Sequence, residues 1–184
     1  TKDNIFTKYP ITYFINNKQT NCQEAALKHI ANNEETDLSD VLLTVLDSAK
    51  ESLSNLAITM LPNTINMEQR NQLASYYVNT SYNSDRELIL TYWEAFDLTE
   101  KEINVITQNF GKVYSLFKKE CFLLDKQRSW PDATYNRLIE FVNKEANLKR
   151  KEAVFRLLMN KESEFTKAFR KTFKKTAKQQ HFVL

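Results

Sequence analysis

Residues 144–178 read KEANLKRKEAVFRLLMNKESEFTKAFRKTFKKTAK, and this stretch decides the fold prediction. It holds twelve lysine and arginine residues against four glutamates, a local charge of +8. The other 149 residues carry fourteen basic and nineteen acidic side chains, a net charge of −5. Phe165, Phe169 and Phe173 recur at the spacing of one helical face, and neither proline nor glycine interrupts the run. The stretch predicts a long amphipathic helix whose last turns are basic.

The scarcity of glycine and proline extends the helical prediction to the whole chain. The 184 residues include one glycine and three prolines, whereas sheets need many turns whose backbone angles glycine and proline supply. Hydrophobic residues make up 42% of the chain, which is typical of a folded domain rather than a disordered one. We expect an all-α fold, a multi-helix bundle of six or seven mostly antiparallel helices, with the long basic amphipathic helix at its C-terminus.

Local signals place the starts and stops of these helices. Capping-box patterns begin at Thr20, Ser84 and Thr99, where a hydroxyl and a Gln or Glu three residues later can each bond a backbone N–H. Pro62 ends the helix that begins at Asp37, because proline lacks the N–H donor and clashes with the preceding turn. A further helix begins at Pro131 and Asp132.

The most regular apolar stripe follows Thr99. Its members step by three or four residues over roughly six turns, and they are Ile103, Ile106, Phe110, Val113, Phe117, Cys121 and Leu124. We expect one continuous helix at the centre of the core. Gly111 lies inside this helix, and a close crossing by another helix would explain why it is tolerated.

Three segments follow from these patterns. Residues 1–18 are rich in aromatic and β-branched residues after Pro10, and we expect an extended N-terminal arm. Residues 19–146 form the helical bundle core. Residues 147–184 form the basic amphipathic C-terminal helix and tail, separated from the preceding helix by a bend or break near 143–147. Because the chain begins with Thr1, we expect it to be processed or to be part of a larger protein.

No motif in the chain predicts a cofactor, a metal or a catalytic residue. A single glycine excludes the phosphate-binding and dinucleotide-binding loops, which need several positions without a side chain. Two histidines and two cysteines at unrelated spacings offer no closed zinc site. Cys22 and Cys121 form no CxxC pair; a disulfide between them would fit a secreted protein, but we favour two buried free thiols in a reducing, intracellular compartment. No apolar run is long enough to span a bilayer.

The basic segment is the candidate functional site, and it allows several interpretations. Its cations could neutralise nucleic-acid phosphates, and its phenylalanines could dock into a partner's groove or onto a membrane surface. In the structural alternative, the phenylalanines pack on the core and the lysines are only solvated. We expect a non-enzymatic interaction module that contacts an anionic partner, either another protein, a larger parent chain or nucleic acid. The site residues are Lys167, Arg170, Lys171, Lys174, Lys175 and Lys178. The competing class is an enzyme whose site is assembled from scattered residues.

Overall fold

A computed structural model describes residues 9–17, 19–31, 38–46 and 50–179, with side chains as far as residue 172 apart from that of residue 31. All regular structure in these ranges is helical, which confirms the predicted all-α helical bundle. The described residues form eleven helices instead of six or seven, because three predicted helices are each split in two and one more lies near the N-terminus. Within these ranges no helix is long and apolar enough to cross a membrane. The chain divides into two compact units, Thr1–Ala95 and Phe96–Leu184.

The first unit contains six described helices. They are α1 (Ile11–Asn16), α2 (Thr20–Ala31), α3 (Ser39–Val45), α4 (Glu51–Thr59), α5 (Met67–Asn79) and α6 (Asn83–Trp93). Tyr77 and Trp93 are fully buried, and their ring centres lie 5.3 Å apart in the middle of this unit. Burial of such large rings is a main source of its stability.

Helix α1 corrects the prediction of an extended arm for residues 11–16. Pro10 stands at its N-cap with an extended backbone, and its carbonyl accepts a 2.9 Å hydrogen bond from the Tyr13 N–H. Phe14 and Ile15 are buried. Aromatic and β-branched residues favour strands only where strand neighbours exist, and here burial against helices decides instead.

Two of the three predicted capping boxes are wrong. Helix α2 already includes Thr20, and the Gln23 amide donates to the Ile15 carbonyl instead of closing a box. Helix α6 begins at Asn83, one residue before Ser84, whose hydroxyl donates to the Glu51 carboxylate. The Gln23 and Ser84 side chains thus form hydrogen bonds to other parts of the first unit instead of capping their own helices.

The Asp85 carboxylate, next to Ser84, accepts a set of hydrogen bonds that positions the polar side chains around it. This carboxylate is fully buried and accepts from the Ser54 hydroxyl at 2.7 Å, from the Tyr76 hydroxyl at 2.5 Å and from the Asn55 amide. A buried carboxylate needs such donors, since burial without them would cost several kcal/mol or force protonation. Asp85 therefore ties α4, α5 and α6 together.

The described residues of the second unit form five helices. They are α7 (Glu100–Gln108), α8 (Phe117–Lys126), α9 (Asp132–Lys144), α10 (Leu148–Met159) and α11 (Glu164–Gln179). The predicted stripe does supply its core, since Ile103, Ile106, Phe110, Phe117 and Leu124 are buried. Val113 is half-buried.

Gly111 breaks the helix that was predicted to be continuous. Helix α7 ends at Gln108 and α8 begins at Phe117, with Gly111 between them at φ +69°. Glycine adopts this left-handed conformation without the penalty that a Cβ imposes. The turn keeps Phe110, in the connection, and Phe117, at the start of α8, in one core with ring centres 5.5 Å apart.

The basic segment forms two helices where one was expected. The predicted break near 143–147 is confirmed, because α9 ends at Lys144 and the Asn147 side chain caps α10 by accepting from the N–H groups of Lys149 and Arg150. A second break between Met159 and Glu164 was not predicted. There the Ser163 hydroxyl accepts from the Thr166 N–H, as an N-cap serine does.

The capping box at Thr99 generates the first prediction. Its hydroxyl accepts from the Glu102 N–H at 3.3 Å, and the buried Glu102 carboxylate accepts from the Thr99 N–H at 2.7 Å. Thr99→Ala leaves a backbone donor unsatisfied, and we expect the free energy of unfolding in urea to fall by about 0.5–2 kcal/mol. Thr91→Ala, an exposed change inside α6, is the control and is expected to cost nothing. Equal effects of the two changes would show that the cap does not stabilise α7.

Gly111 generates the second prediction. A Cβ at this position would overlap Nη2 of Arg150 and lie 2.6 Å from Cε2 of Phe141, and the positive φ adds strain. Gly111→Ala should therefore lower the free energy of unfolding by about 1–3 kcal/mol, measured in urea. Ser115→Ala, at an exposed position of the same connection, should stay within about 0.5 kcal/mol of the parent. If Gly111→Ala is as stable as the parent, the left-handed turn is not required.

Candidate functional site

The charge of the chain separates along the boundary between the two units. Residues 1–95 contain seven basic and twelve acidic side chains, a net charge of −5, and residues 96–184 contain nineteen and eleven, a net charge of +8. Residues 96–143 hold seven of each sign. The whole excess of the second unit therefore comes from the segment that begins at Lys144 and continues through α11.

One face of α11 packs into the second unit. Phe169 is 8% exposed and lies 6.1 Å from the Phe155 ring, and Thr166 is fully buried. Phe165 stacks on Tyr135 of α9 with ring centres 5.6 Å apart. Phe169 thus belongs to the core, and the half-buried Phe165 packs against the same unit, as the structural alternative predicted. Phe173 has a side chain outside the described residues.

The opposite face of α11 carries the predicted lysines. Lys167 and Lys171 are exposed. With 3.6 residues per turn, the lysine positions fall within about 100° of the helix circumference, centred opposite the positions of Phe165 and Phe169. These positions are Lys167, Lys171, Lys174, Lys175 and Lys178. The side chains of the last three lie outside the described residues.

Arg170 has a different role from the one predicted for it. Its guanidinium donates to the Met159 carbonyl at the C-terminal end of α10, and its Nε lies 3.1 Å from the Met159 sulfur. An arginine here offsets the partial negative charge of the last carbonyls of a helix. Two of its nitrogens are thus engaged within the fold, which gives Arg170 a structural role that the exposed lysines do not share.

Lys161 is a second cation that serves the fold. It is 8% exposed, and its ammonium donates to the carbonyls of Asp125, at 2.6 Å, and of Gln127, at the end of α8. The same nitrogen lies 5.4 Å from the centre of the Trp130 ring, a cation–π contact. The sequence alone does not distinguish Lys161 from its solvated neighbours.

Glutamates neutralise only part of the remaining charge. Arg156 pairs with Glu152 at 2.6 Å, and Lys167 pairs with Glu164 at 2.8 Å. The hydrogen bond and charge of Glu164 raise the pKa of Lys167, so this lysine stays cationic. Residues 144–178 contain twelve cations and four glutamates, so most of the positive charge of this segment is not balanced by negative charge within it.

Sequence reasoning missed an open cleft of about 580 Å³ in the second unit. Phe110 and Phe141 form apolar parts of its lining, and the charged side chains there are Lys112, Arg137, Glu140, Lys144 and Glu145. The full lining comes from α7, the Gly111 connection, α9 and the residue that follows α9. Their spacing in the sequence follows no motif, so no local signal could have found the cleft.

The described residues offer little catalytic chemistry. They include no group of three or more His, Cys, Asp or Glu side chains arranged to hold a metal ion. In the cleft, the hydrogen bond from Lys144 lowers the pKa of Glu140, so this carboxyl is ionised near neutral pH and has no proton to donate. Both cysteines are free thiols, as predicted.

Comparisons with protein-family models, with curated proteins and with solved structures give no match to this chain.

Cys121 generates a prediction about reactivity. Burial, with a smaller contribution from the charge of Glu120, raises the pKa of its thiol to about 12. Only the thiolate is nucleophilic, so iodoacetamide should alkylate Cys121 far more slowly at pH 8 than it alkylates free cysteine. Below the pKa, the rate should rise about tenfold with each pH unit. The measurement uses the Cys22→Ser variant, and alkylation at the rate of free cysteine at pH 8 would contradict the prediction.

Proposed function

We propose that the chain is a non-enzymatic helical interaction module whose second unit binds a polyanion through the lysine face of α11. One observation carries this function: the phenylalanine face of α11 packs inside the unit, and the lysine positions lie on the side turned away from it. Nucleic acid is the polyanion whose regularly spaced phosphates such a row of lysines would neutralise. The contact residues are Lys167, Lys171, Lys174, Lys175 and Lys178.

Packing of the phenylalanines favours a phosphate backbone over a membrane. A surface-bound helix needs an apolar face that enters the lipid. Phe165 and Phe169 already contact Tyr135 and Phe155 of the same unit, so presenting them to lipid would disrupt these contacts. Lysines on a solvated face can still release counterions from a nucleic acid without any apolar partner.

An acidic protein surface is the second candidate partner, since the same lysines would attract it. The enzymatic alternative would have to use the cleft, where Arg137 lies near two glutamates. We favour the binding module because the charge excess lies in the segment of α10 and α11. We also propose an intracellular location, which the two free thiols favour.

Three lysines of α11 provide the test. Lys171, Lys174 and Lys178 are changed together to Gln in the full chain, and affinity for labelled oligonucleotides of unrelated sequence is measured by fluorescence anisotropy at several salt concentrations. We expect affinity to fall similarly for all sequences. The slope of log affinity against log salt should become shallower by about 0.7–0.9 for each phosphate that the variant no longer neutralises, because fewer counterions are released.

A matched control removes the same charge from other helices. Lys101, Lys118 and Lys126 are exposed on α7 and α8, and their joint change to Gln also lowers the net charge by three. We expect this control to keep most of the affinity. An equal fall in both variants would show that net charge, and not the face of α11, attracts the ligand. Absence of oligonucleotide binding by the parent at physiological salt would exclude the phosphate function.

A further inference from the structure

Arg137 lines the cleft of the second unit, and its guanidinium forms hydrogen bonds to described residues through one nitrogen only. Nη1 of Arg137 makes all of its hydrogen bonds to described residues, to the Asn104 side-chain oxygen at 3.2 Å, to the Asn104 carbonyl at 3.4 Å and to the Thr107 hydroxyl at 3.1 Å. No described residue accepts from its Nε or Nη2. The guanidinium is therefore oriented in advance while its remaining donors are available to a ligand. Such an edge binds phosphate or carboxylate oxygens in pairs.

The charges around this edge favour an anion. Lys112 and Lys144 also line the cleft. Glu140 and Glu145 line it as well and would repel an anion, but Glu140 is paired with Lys144 and Glu145 lies 3.3 Å from Arg150. The two carboxylates are thus neutralised by neighbouring cations, and the charge of Arg137 and Lys112 remains in excess.

An exposed aromatic ring lies beside the cleft. Tyr114 is 74% exposed, the largest exposed fraction among the large hydrophobic side chains of the described residues. The guanidinium carbon of Arg150 is 5.8 Å from the centre of the Tyr114 ring and 5.2 Å from that of Phe141, a wall of the cleft. Because both distances share that carbon atom, the two ring centres are at most about 11 Å apart. A ligand that occupies the cleft along Phe141 therefore has the exposed Tyr114 ring within about 11 Å.

We propose that the cleft and Tyr114 together bind a single-stranded stretch of nucleic acid, with a phosphate on Arg137 and Lys112 and an adjacent base stacked on Tyr114. Only an unpaired base presents its face to a protein ring, whereas a duplex keeps its bases stacked on one another. Aromatic stacking next to cations is the usual means by which proteins bind single strands without sequence preference. This inference rests on the proposed function and specifies its ligand: the lysine face of α11 attracts any polyanion, and the cleft selects single strands.

The test compares a labelled twelve-nucleotide oligothymidylate with a duplex of equal length, both measured by fluorescence anisotropy with the full chain. Tyr114→Ala should weaken single-strand binding at least about fivefold, as removal of one stacked base does, and change duplex binding less than twofold. Tyr114→Phe keeps the ring and should restore single-strand affinity. Tyr13→Ala, which removes an exposed tyrosine of the first unit, should bind like the parent.

Arg137→Lys is the second variant, since it keeps the charge and removes the paired donors. It should weaken single-strand binding, and circular dichroism should show an unchanged helical content. Normal single-strand affinity of Tyr114→Ala would overturn the inference, and so would an equal fall for both oligonucleotides. If the α11 variant still binds more weakly in that case, the proposed function stands without the inference.

Discussion

The position of the Arg150 guanidinium against Gly111 is the interaction on which the second unit depends. Nη2 of Arg150 donates to the Gly111 carbonyl at 2.5 Å, and the guanidinium carbon lies 4.7 Å from the centre of the Phe117 ring. The same side chain pairs with Glu145 in the break between α9 and α10. One residue thus connects the turn that ends α7, the start of α8 and the beginning of the basic segment. Without the left-handed turn there would be no room for it, because a Cβ on residue 111 would occupy its place.

Cations in this unit fall into two classes that burial separates. Lys161 and Arg170 donate to carbonyls at helix ends, and Arg150 donates to the Gly111 carbonyl in the turn after α7, so a neutral side chain at these positions would remove a buried donor. Lys167 and Lys171 are exposed on α11, and neither donates to a backbone carbonyl of the described residues. Desolvation makes the first class expensive to replace, whereas the second class can exchange water and counterions for a ligand. Within the basic segment, the proposed ligand therefore contacts only the exposed cations of the second class.

The proposed ligand follows from combining the α11 lysine face with the cleft. A row of lysines supplies attraction that depends on salt and tolerates any sequence. Selection needs directional donors and a stacking ring, which Arg137 and Tyr114 offer. The proposed ligand would be attracted by the net positive charge of the second unit and repelled by the net negative charge of the first. In that unit Asp85 is engaged by Ser54 and Tyr76 and thus serves its structure.

Much of the fold was determined by local rules. The scarcity of glycine and proline implied an all-α chain, and the capping box at Thr99 formed because its partners lie three residues apart. The same rules failed wherever a distant residue competed. Gly111 is compatible both with a tolerated helix interior and with a left-handed turn, and Arg150, 39 residues further along the chain, decides for the turn. Arg170 and Lys171 are adjacent and carry the same positive charge, yet only Arg170 reaches the Met159 carbonyl. The cleft had no sequence signal, because it exists only where α7, α9 and the Gly111 turn pack together. Periodicity and capping are short-range and can be predicted from the chain, whereas the role of a buried charge depends on which acceptors tertiary packing brings near it.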